Sequence, residues 1–291
     1  MSAGALAAAI PPPSLRQFEV GPAEIRIYAL CILAGIVVAT ALTVRRWRAR
    51  GGDAELVFEV ALWSVLAGLV GGRAYHVVTS YDELGDEWWA PFAIWEGGLG
   101  IWGAIFLGAL AGALVTRLRR ASVAEMLDAA APGVLIAQGI GRVGNYFNQE
   151  LFGGPTDLPW GLEVDRANRP SGYEDSAVFH PTFLYELLWA FGAALVLIWI
   201  GRRFRIRAPG IFALYVSLYS LGRIFWEQLR IDPSQMFYGQ RLNFYVAVGL
   251  YVAGALAFVV IQLRPRRKQD VLPKVPRRAG GSRARTVRRR S

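Results

Sequence analysis

Three stretches of the chain, residues 27–44, 97–116 and 242–263, contain no Asp, Glu, Lys or Arg. A hydrocarbon layer about 30 Å thick is crossed by ~20 mostly apolar helical residues, so each stretch is long enough to span a membrane. Segments 56–78, 181–201 and 209–228 are similarly apolar, each with one or a few ionisable residues. Segment 123–143 is the weakest: it is rich in Ala and Gly, with Glu125 and Asp128 near one end and Arg142 near the other. A core helix of a soluble protein shows a polar face at 3.6-residue spacing, and 97–116 and 242–263 show none. The pattern predicts an all-α integral membrane protein with seven transmembrane helices. Their expected spans are about 25–44, 56–78, 97–116, 123–143, 181–201, 209–228 and 242–263.

The charges between the spans orient them. Arg45, Arg46, Arg48 and Arg50 follow the first span, Arg117, Arg119 and Arg120 the third, and Arg202, Arg203, Arg205 and Arg207 the fifth. The intervening loops 79–96 and 144–180 hold many acids and only Arg166 and Arg169 as bases. Basic loops stay cytoplasmic, which puts the N-terminus outside and the C-terminus in the cytoplasm. Residues 1–24 read as a short outer segment without a signal-peptide pattern, its apolar run broken by Pro11-Pro12-Pro13. Residues 25–263 form the membrane domain, and the outer loop 144–180, rich in Gly, Pro, Asn and Asp, is expected to make a small extracytoplasmic subdomain. Residues 264–291 read as a disordered, basic cytoplasmic tail.

Composition supports this and narrows the function. The chain is 54% hydrophobic and 19% charged, against about 25% charged in soluble domains. Its formal charge of +10 belongs to the tail: residues 264–291 carry 12 basic residues and one acid, the other 263 carry 20 and 21. That balance excludes a nucleic-acid-binding body. A single cysteine, Cys31, in an apolar span, excludes an internal disulfide and thiolate metal clusters. Two histidines, His76 and His180, argue against a multi-His metal site, and no metal or other cofactor is expected.

Ionisable residues inside spans are costly, so their positions matter. Arg73 lies near the outer end of the second span and Arg142 near that of the fourth. Glu186 sits one and a half turns inside the fifth, and Arg223 and Glu227 close the sixth, with Arg230 just beyond. Each alone can be a snorkelling side chain or a helix-packing ion pair. Arginines on three spans at one depth describe a receptor for an anion, and the guanidinium fork suits phosphate. At head-group depth, that anion is most simply a phospholipid's. Gly141-Arg142-Val143-Gly144-Asn145 places one Arg between two glycines at the expected span end, where φ > 0 and close backbone approach are available. His180-Pro181-Thr182 opens the fifth span, with Tyr185-Glu186 a turn later. Tyr219, Arg223, Glu227 and Arg230 share one helical face, which a packing ladder also explains. Trp88, Trp89, Trp95 and Trp102 read as an interfacial aromatic belt.

Four stretches together resemble the bacterial prolipoprotein diacylglyceryl transferase family: WEGGLGIWG at 95–103, GIGRVGNYFNQELFGG at 139–154, HPTFLYE at 180–186 and YSLGRIFWEQLR at 219–230. GPAEIRIYAL at 21–30 matches the start of the family's first span, and the likeness covers roughly 21–263 in order. The resemblance implies a multi-pass enzyme of the bacterial plasma membrane with its active site on the extracytoplasmic side. It implies transfer of the diacylglyceryl group of phosphatidylglycerol to the lipobox cysteine of a prolipoprotein signal peptide, releasing glycerol 1-phosphate. By motif match, Arg142 is the family's phosphatidylglycerol-binding arginine, with Asn145 and Glu150 beside it. Arg223 and Glu227 match its second essential cluster, Tyr28 its first-span tyrosine and Gly153 a glycine of the outer loop. Arg73, His180, Glu186 and Tyr219 complete the expected lipid-binding set. One position departs: where many relatives carry a histidine proposed as general base, this chain has Trp102.

The implied chemistry is displacement at a glycerol carbon by sulfur, with a phosphate monoester departing. The nucleophile comes from the protein substrate, and a thiol of pKa near 8.5 is partly ionised at neutral pH. The harder step is charge growth on the leaving phosphate, which preorganised arginines relieve. Arg142 is assigned to the head group and Arg223 to the leaving phosphate; Glu227 either orients Arg223 or accepts the thiol proton. A lipid or anion transporter would instead place its charges near midplane on discontinuous helices. A scaffold acting through its tail leaves the outer arginines without a purpose. An intramembrane serine protease is excluded by the lack of a Gly-x-Ser-Gly with a partner His.

Overall fold

The computed structural model describes residues 9–264 except Pro22 and Asp86. The tail expected to be disordered, and the first eight residues of the N-terminal segment, lie outside the described residues, apart from Arg264. The described residues form seven long helices: α1 Ile27–Arg48, α2 Ala54–Thr79, α3 Ile101–Leu118, α4 Val123–Asn148, α5 Thr182–Arg203, α6 Gly210–Leu229 and α7 Leu242–Leu263. Six short strands pair antiparallel as β1 Gln17–Val20 with β2 Ala23–Arg26, β3 Leu162–Glu163 with β4 Val178–Phe179, and β5 Met236–Phe237 with β6 Gln240–Arg241.

Six of the seven helices are long and apolar enough to cross a membrane. The weak segment 123–143 lies in one of them, α4. The helix that falls short is α6, where Tyr215, Tyr219, Arg223, Glu227 and Gln228 lower the mean hydropathy. That helix packs against α4, α5 and α7. The chain therefore has the build of a multi-pass integral membrane protein, with one helix more polar than the pattern of uncharged stretches implied.

The packing is that of a membrane bundle. Large apolar side chains such as Leu33, Val37, Phe58, Leu62 and Val70 point outward, and small residues line the contacts between helices. Lipid supplies no hydrophobic drive for helices to associate, so close backbone approach has to. Gly71 of α2 and Gly103 of α3 each abut the other's carbonyl oxygen, and a Cβ on Gly133 of α4 would sit 2.8 Å from the Ala39 carbonyl oxygen of α1. Tight pairs α1–α4, α2–α3, α4–α5 and α6–α7 result.

One end of the bundle is pinned by polar contacts among its basic residues. Arg46 donates to the carbonyls of Asp128 and Ala129, both at 3.0 Å, tying the C-terminus of α1 to the start of α4. The buried Asp128 carboxylate accepts the Phe212 N–H at 2.8 Å. It thereby satisfies one of the first-turn donors that α6 cannot pair internally. Arg119 reaches Glu59 of α2 at 2.8 Å.

At the other end, α4 continues past the expected stop at 143 to Asn148, and Gln149 then turns the chain with a left-handed φ of 51°. The side chain of Gln149 is buried and accepts from the Asp165 N–H (2.9 Å) and Asn168 Nδ2 (3.0 Å) while donating to Asp165 Oδ2 (2.8 Å). Phe152, Leu162, Val164 and Phe179 form a small core beneath this loop, with Ile10, Tyr146 and Phe183 against it. The stretch between α4 and α5 is thus a folded unit rather than a slack connection.

Candidate active site

The C-terminal end of α4 meets the first turns of α5 and the last turns of α6, and charged side chains from all three converge there. Arg142 Nε lies 2.7 Å from Glu186 Oε2, and Arg223 Nη1 lies 3.4 Å from the same oxygen. Glu186 is buried, whereas Arg142 and Arg223 keep 21% and 15% of their side chains exposed. One carboxylate therefore holds two guanidiniums together, and each retains donors able to reach an outside anion. On its other side Arg142 donates to Asn145 Oδ1 at 3.2 Å, and Asn145 Nδ2 donates to Glu150 Oε1 at 2.7 Å. Asn148 donates to that same Glu150 oxygen at 3.1 Å.

The two glycines around Arg142 act otherwise than their sequence context implied. Gly141 and Gly144 are interior to α4 and neither has a positive φ. Gly144 supplies room: a Cβ there would run into the Tyr28 ring of α1, the nearest atom at 2.5 Å, whereas a Cβ on Gly141 would meet Ile32 only at an ordinary 3.5 Å. Gly144 thus seats Tyr28 two residues along α4 from Arg142.

Glu227 extends the network. Its side chain is fully buried and pairs with Arg223 four residues earlier, with Arg230 at 3.7 Å and with Arg241 Nε at 2.8 Å. The expected face of α6 does carry Tyr219, Arg223 and Glu227, and Arg230 joins it from just past the helix. Arg241 was not anticipated. It precedes α7, and no motif or span interior flags it; its only sequence signal is an arginine at the start of an uncharged helix. Asp232 was missed as well. It takes Arg230 in a two-bond fork (2.7 and 2.9 Å) and Arg241 Nη2 at 2.8 Å. Burial pushes the Asp232 carboxyl up, but hydrogen bonds and charge from Arg230 and Arg241 outweigh it and hold the pKa below the usual aspartate range. A carboxylate with a depressed folded pKa stabilises the fold above its unfolded pKa, and the contribution fades as pH falls through the folded value.

Arg73 does not join this cluster. Its guanidinium is buried and donates to the carbonyls of Pro91 (2.9 Å), Gly97 (2.7 Å) and Gly98 (3.2 Å), and to Ala90. Depth along a span is legible from sequence, but the direction of the side chain is not, and here the loop after α2 takes the donors. Gly153 also serves the scaffold. Its N–H donates to the His180 carbonyl at 2.9 Å and its backbone bridges Arg230. A Cβ there would meet His180 Cβ at 2.8 Å. The His180 ring sits 3.3 Å from Tyr185 Oη, which also accepts from Trp160 Nε1 at 3.1 Å. Trp102 is 47% exposed in the first turn of α3. Among the described residues no group of three or more His, Cys, Asp or Glu side chains comes together as metal donors.

A crevice of about 10 Å³, room for about one water, touches the paired arginines. Gln138, Gly139, Trp189, Ala190 and Trp226 line it beside Arg142, Glu186, Tyr219 and Arg223. Two guanidiniums thus stand next to tryptophan rings, cation beside apolar surface. Residues 16–260 match the family model described as prolipoprotein diacylglyceryl transferase. The chain belongs to that family. It is 50% identical over 258 residues to the phosphatidylglycerol–prolipoprotein diacylglyceryl transferase of Cutibacterium acnes, covering 88% of this chain and 87% of that one. It is 49% identical to enzyme 2 of that name from Streptomyces coelicolor (87% and 80% covered) and 44% identical to the Mycobacteroides abscessus enzyme (94% and 84%). The region shared with the family includes every residue of the Arg142–Glu186–Arg223–Glu227 network.

Proposed function

We infer that this chain is a phosphatidylglycerol–prolipoprotein diacylglyceryl transferase. It moves the diacylglyceryl group of phosphatidylglycerol to a cysteine thiol of a prolipoprotein and releases glycerol 1-phosphate. The observation that carries the chemistry is the pair of guanidiniums sharing Glu186 beside Trp189 and Trp226. The phosphodiester suits Arg142 and Arg223. Sulfur attacks the glycerol carbon that bears the phosphate. The thiol first loses its proton to water, as a thiol of pKa near 8.5 partly does at neutral pH; the C–S bond then forms as the C–O bond breaks, and the electron pair leaves with the phosphate. Arg142, with Asn145 and Glu150 fixing its far side, holds the head group. Arg223 stabilises the charge that grows on the departing oxygen, as preorganised donors do in acyl and phosphoryl transfer.

Glu227 is assigned to orienting Arg223. Three guanidiniums surround it in a dry position, and protonating it would leave those cations facing one another. Tyr28 and Tyr219 flank the two arginines, while His180 and Gly153 support the loop over them. The deciding assay combines purified protein, phosphatidylglycerol and a lipobox peptide. A mass gain of one diacylglyceryl group on the cysteine is the expected result, and an unmodified peptide defeats the proposal.

The proposed topology has all seven helices crossing the bacterial plasma membrane, with the N-terminus outside and residues 264–291 as a cytoplasmic tail. In support, Arg45, Arg46 and Arg48 of α1, Arg117 of α3 and Arg202 and Arg203 of α5 lie in last turns. The paired arginines occupy the opposite helix ends, away from midplane. Residues 79–96 and 144–180 are then extracytoplasmic, so Ser171→Cys on intact spheroplasts should react with a membrane-impermeant thiol reagent. Reaction only after lysis reverses the assignment.

Trp102 takes no proton in this scheme, because indole N–H does not titrate in the working range. Trp102→Phe should keep most of the activity and the same pH–rate profile. Collapse of activity in a normally inserted variant would give the indole N–H a part in the reaction.

A further inference from the structure

Next to the arginine crevice lies a larger cavity of about 450 Å³, a size typical of small-ligand sites. The two meet at one ion pair: Arg223 lines the crevice, and its partner Glu227 lines the cavity. The cavity lies at the last turn of α6 and the connection from there to α7, with Tyr173 of the stretch between α4 and α5 against it.

We propose that this cavity receives the acceptor polypeptide immediately after its reacting cysteine, binding it as an extended main chain. The proposal rests on the transferase reading. Such an enzyme must hold two substrates against Arg223, a lipid from the apolar side and a peptide that emerges toward water. Arg142 and Arg223 beside Trp189 and Trp226 suit the first. The cavity's wall fits the second, because its charges are already matched. Arg230 is forked onto Asp232, and Arg241 is shared between Glu227 and Asp232. Two cations face two anions, so the wall offers no excess positive charge to a phosphate. The rest of the lining is uncharged: the hydrogen-bonding side chains of Gln228, Ser234, Gln240 and Tyr173, with the apolar Ile231 and Met236 between them. Amides and hydroxyls complement peptide N–H and C=O groups. An extended chain advances ~3.3 Å per residue, so the residues just after the cysteine are the ones within reach.

The test uses full-length protein with phosphatidylglycerol vesicles and two lipobox peptides, one ending a single residue after the cysteine and one continuing for four. The wild-type chain is expected to show a KM at least fivefold lower for the longer peptide. The Gln228→Ala/Gln240→Ala double variant, and separately the cavity-filling Ser234→Leu, should abolish that preference. Both should leave turnover of the short peptide and the KM for phosphatidylglycerol unchanged, which also verifies that they fold. A preference that survives in both variants overturns the assignment. So does a change confined to the phosphatidylglycerol KM, or to inhibition by glycerol phosphate, which would make the cavity a phosphate route. Absence of transfer to either peptide by the wild-type chain overturns the transferase reading, and the assignment with it.

Discussion

Arg142→Lys and Arg223→Lys are each expected to lower turnover at least about tenfold while the protein still folds and inserts. Lysine keeps the charge and reaches the same depth, so a residue that merely snorkels would tolerate it. It loses the planar fork, and with it the ability to hold Glu186 and a phosphate oxygen at once. Loss of one preorganised contact in the transition state costs about 2.7–4 kcal/mol, or ~10²–10³ in rate. The two variants should also differ. Arg142, braced by Asn145, binds the head group in the ground state, so Arg142→Lys should raise the KM for phosphatidylglycerol more than Arg223→Lys does. Steady-state kinetics in vesicles of varied phosphatidylglycerol content separate the two. Near-normal constants for both would return the arginines to a packing role.

The second large effect belongs to Glu227→Gln. A buried carboxylate in contact with Arg223, Arg230 and Arg241 cannot be neutralised without leaving cations uncompensated, a change that costs about 3–5 kcal/mol. Glu150→Gln is the control, since Glu150 is exposed and its partners, the Asn145 and Asn148 amides, are neutral and can donate equally to an amide oxygen. Thermal unfolding in a mild detergent should show a far larger drop for Glu227→Gln. Equal shifts for the two would mean that the arginines around Glu227 are satisfied by other groups.

Much of this architecture was legible because a membrane makes it so. Uncharged stretches of helical length are hard to read otherwise, and each of the seven expected spans overlaps one of the helices α1 to α7. Boundaries were less legible. The Gly141–Asn145 segment read as a span end because the apolar segment stops near 143, yet α4 runs through it to Asn148, and Gly144 makes room for the Tyr28 ring. In α6 the residues that matter for the site are the ones that dilute its hydropathy, so a polar face and a weak span were the same observation. The core of the candidate site was visible as arginines and glutamates at one depth. Its completion was not: Arg241 and Asp232 matter through whom they touch, and a contact between residue 227 and residue 241 across a connecting loop has no local signature. Arg73 shows the converse. Its depth matched the cluster, but the carbonyls of 90, 91, 97 and 98 claim it.

Glu186 has a consequence for the cycle as a whole. Because Arg142 and Arg223 share its carboxylate, the two cations are held together by an anion that belongs to the protein. On the proposed reaction, a phosphodiester takes the donors that Glu186 leaves over and meets cations already partly neutralised. Tight retention of an anionic product, the obvious hazard of a site built from arginines, is opposed by a carboxylate that cannot diffuse away.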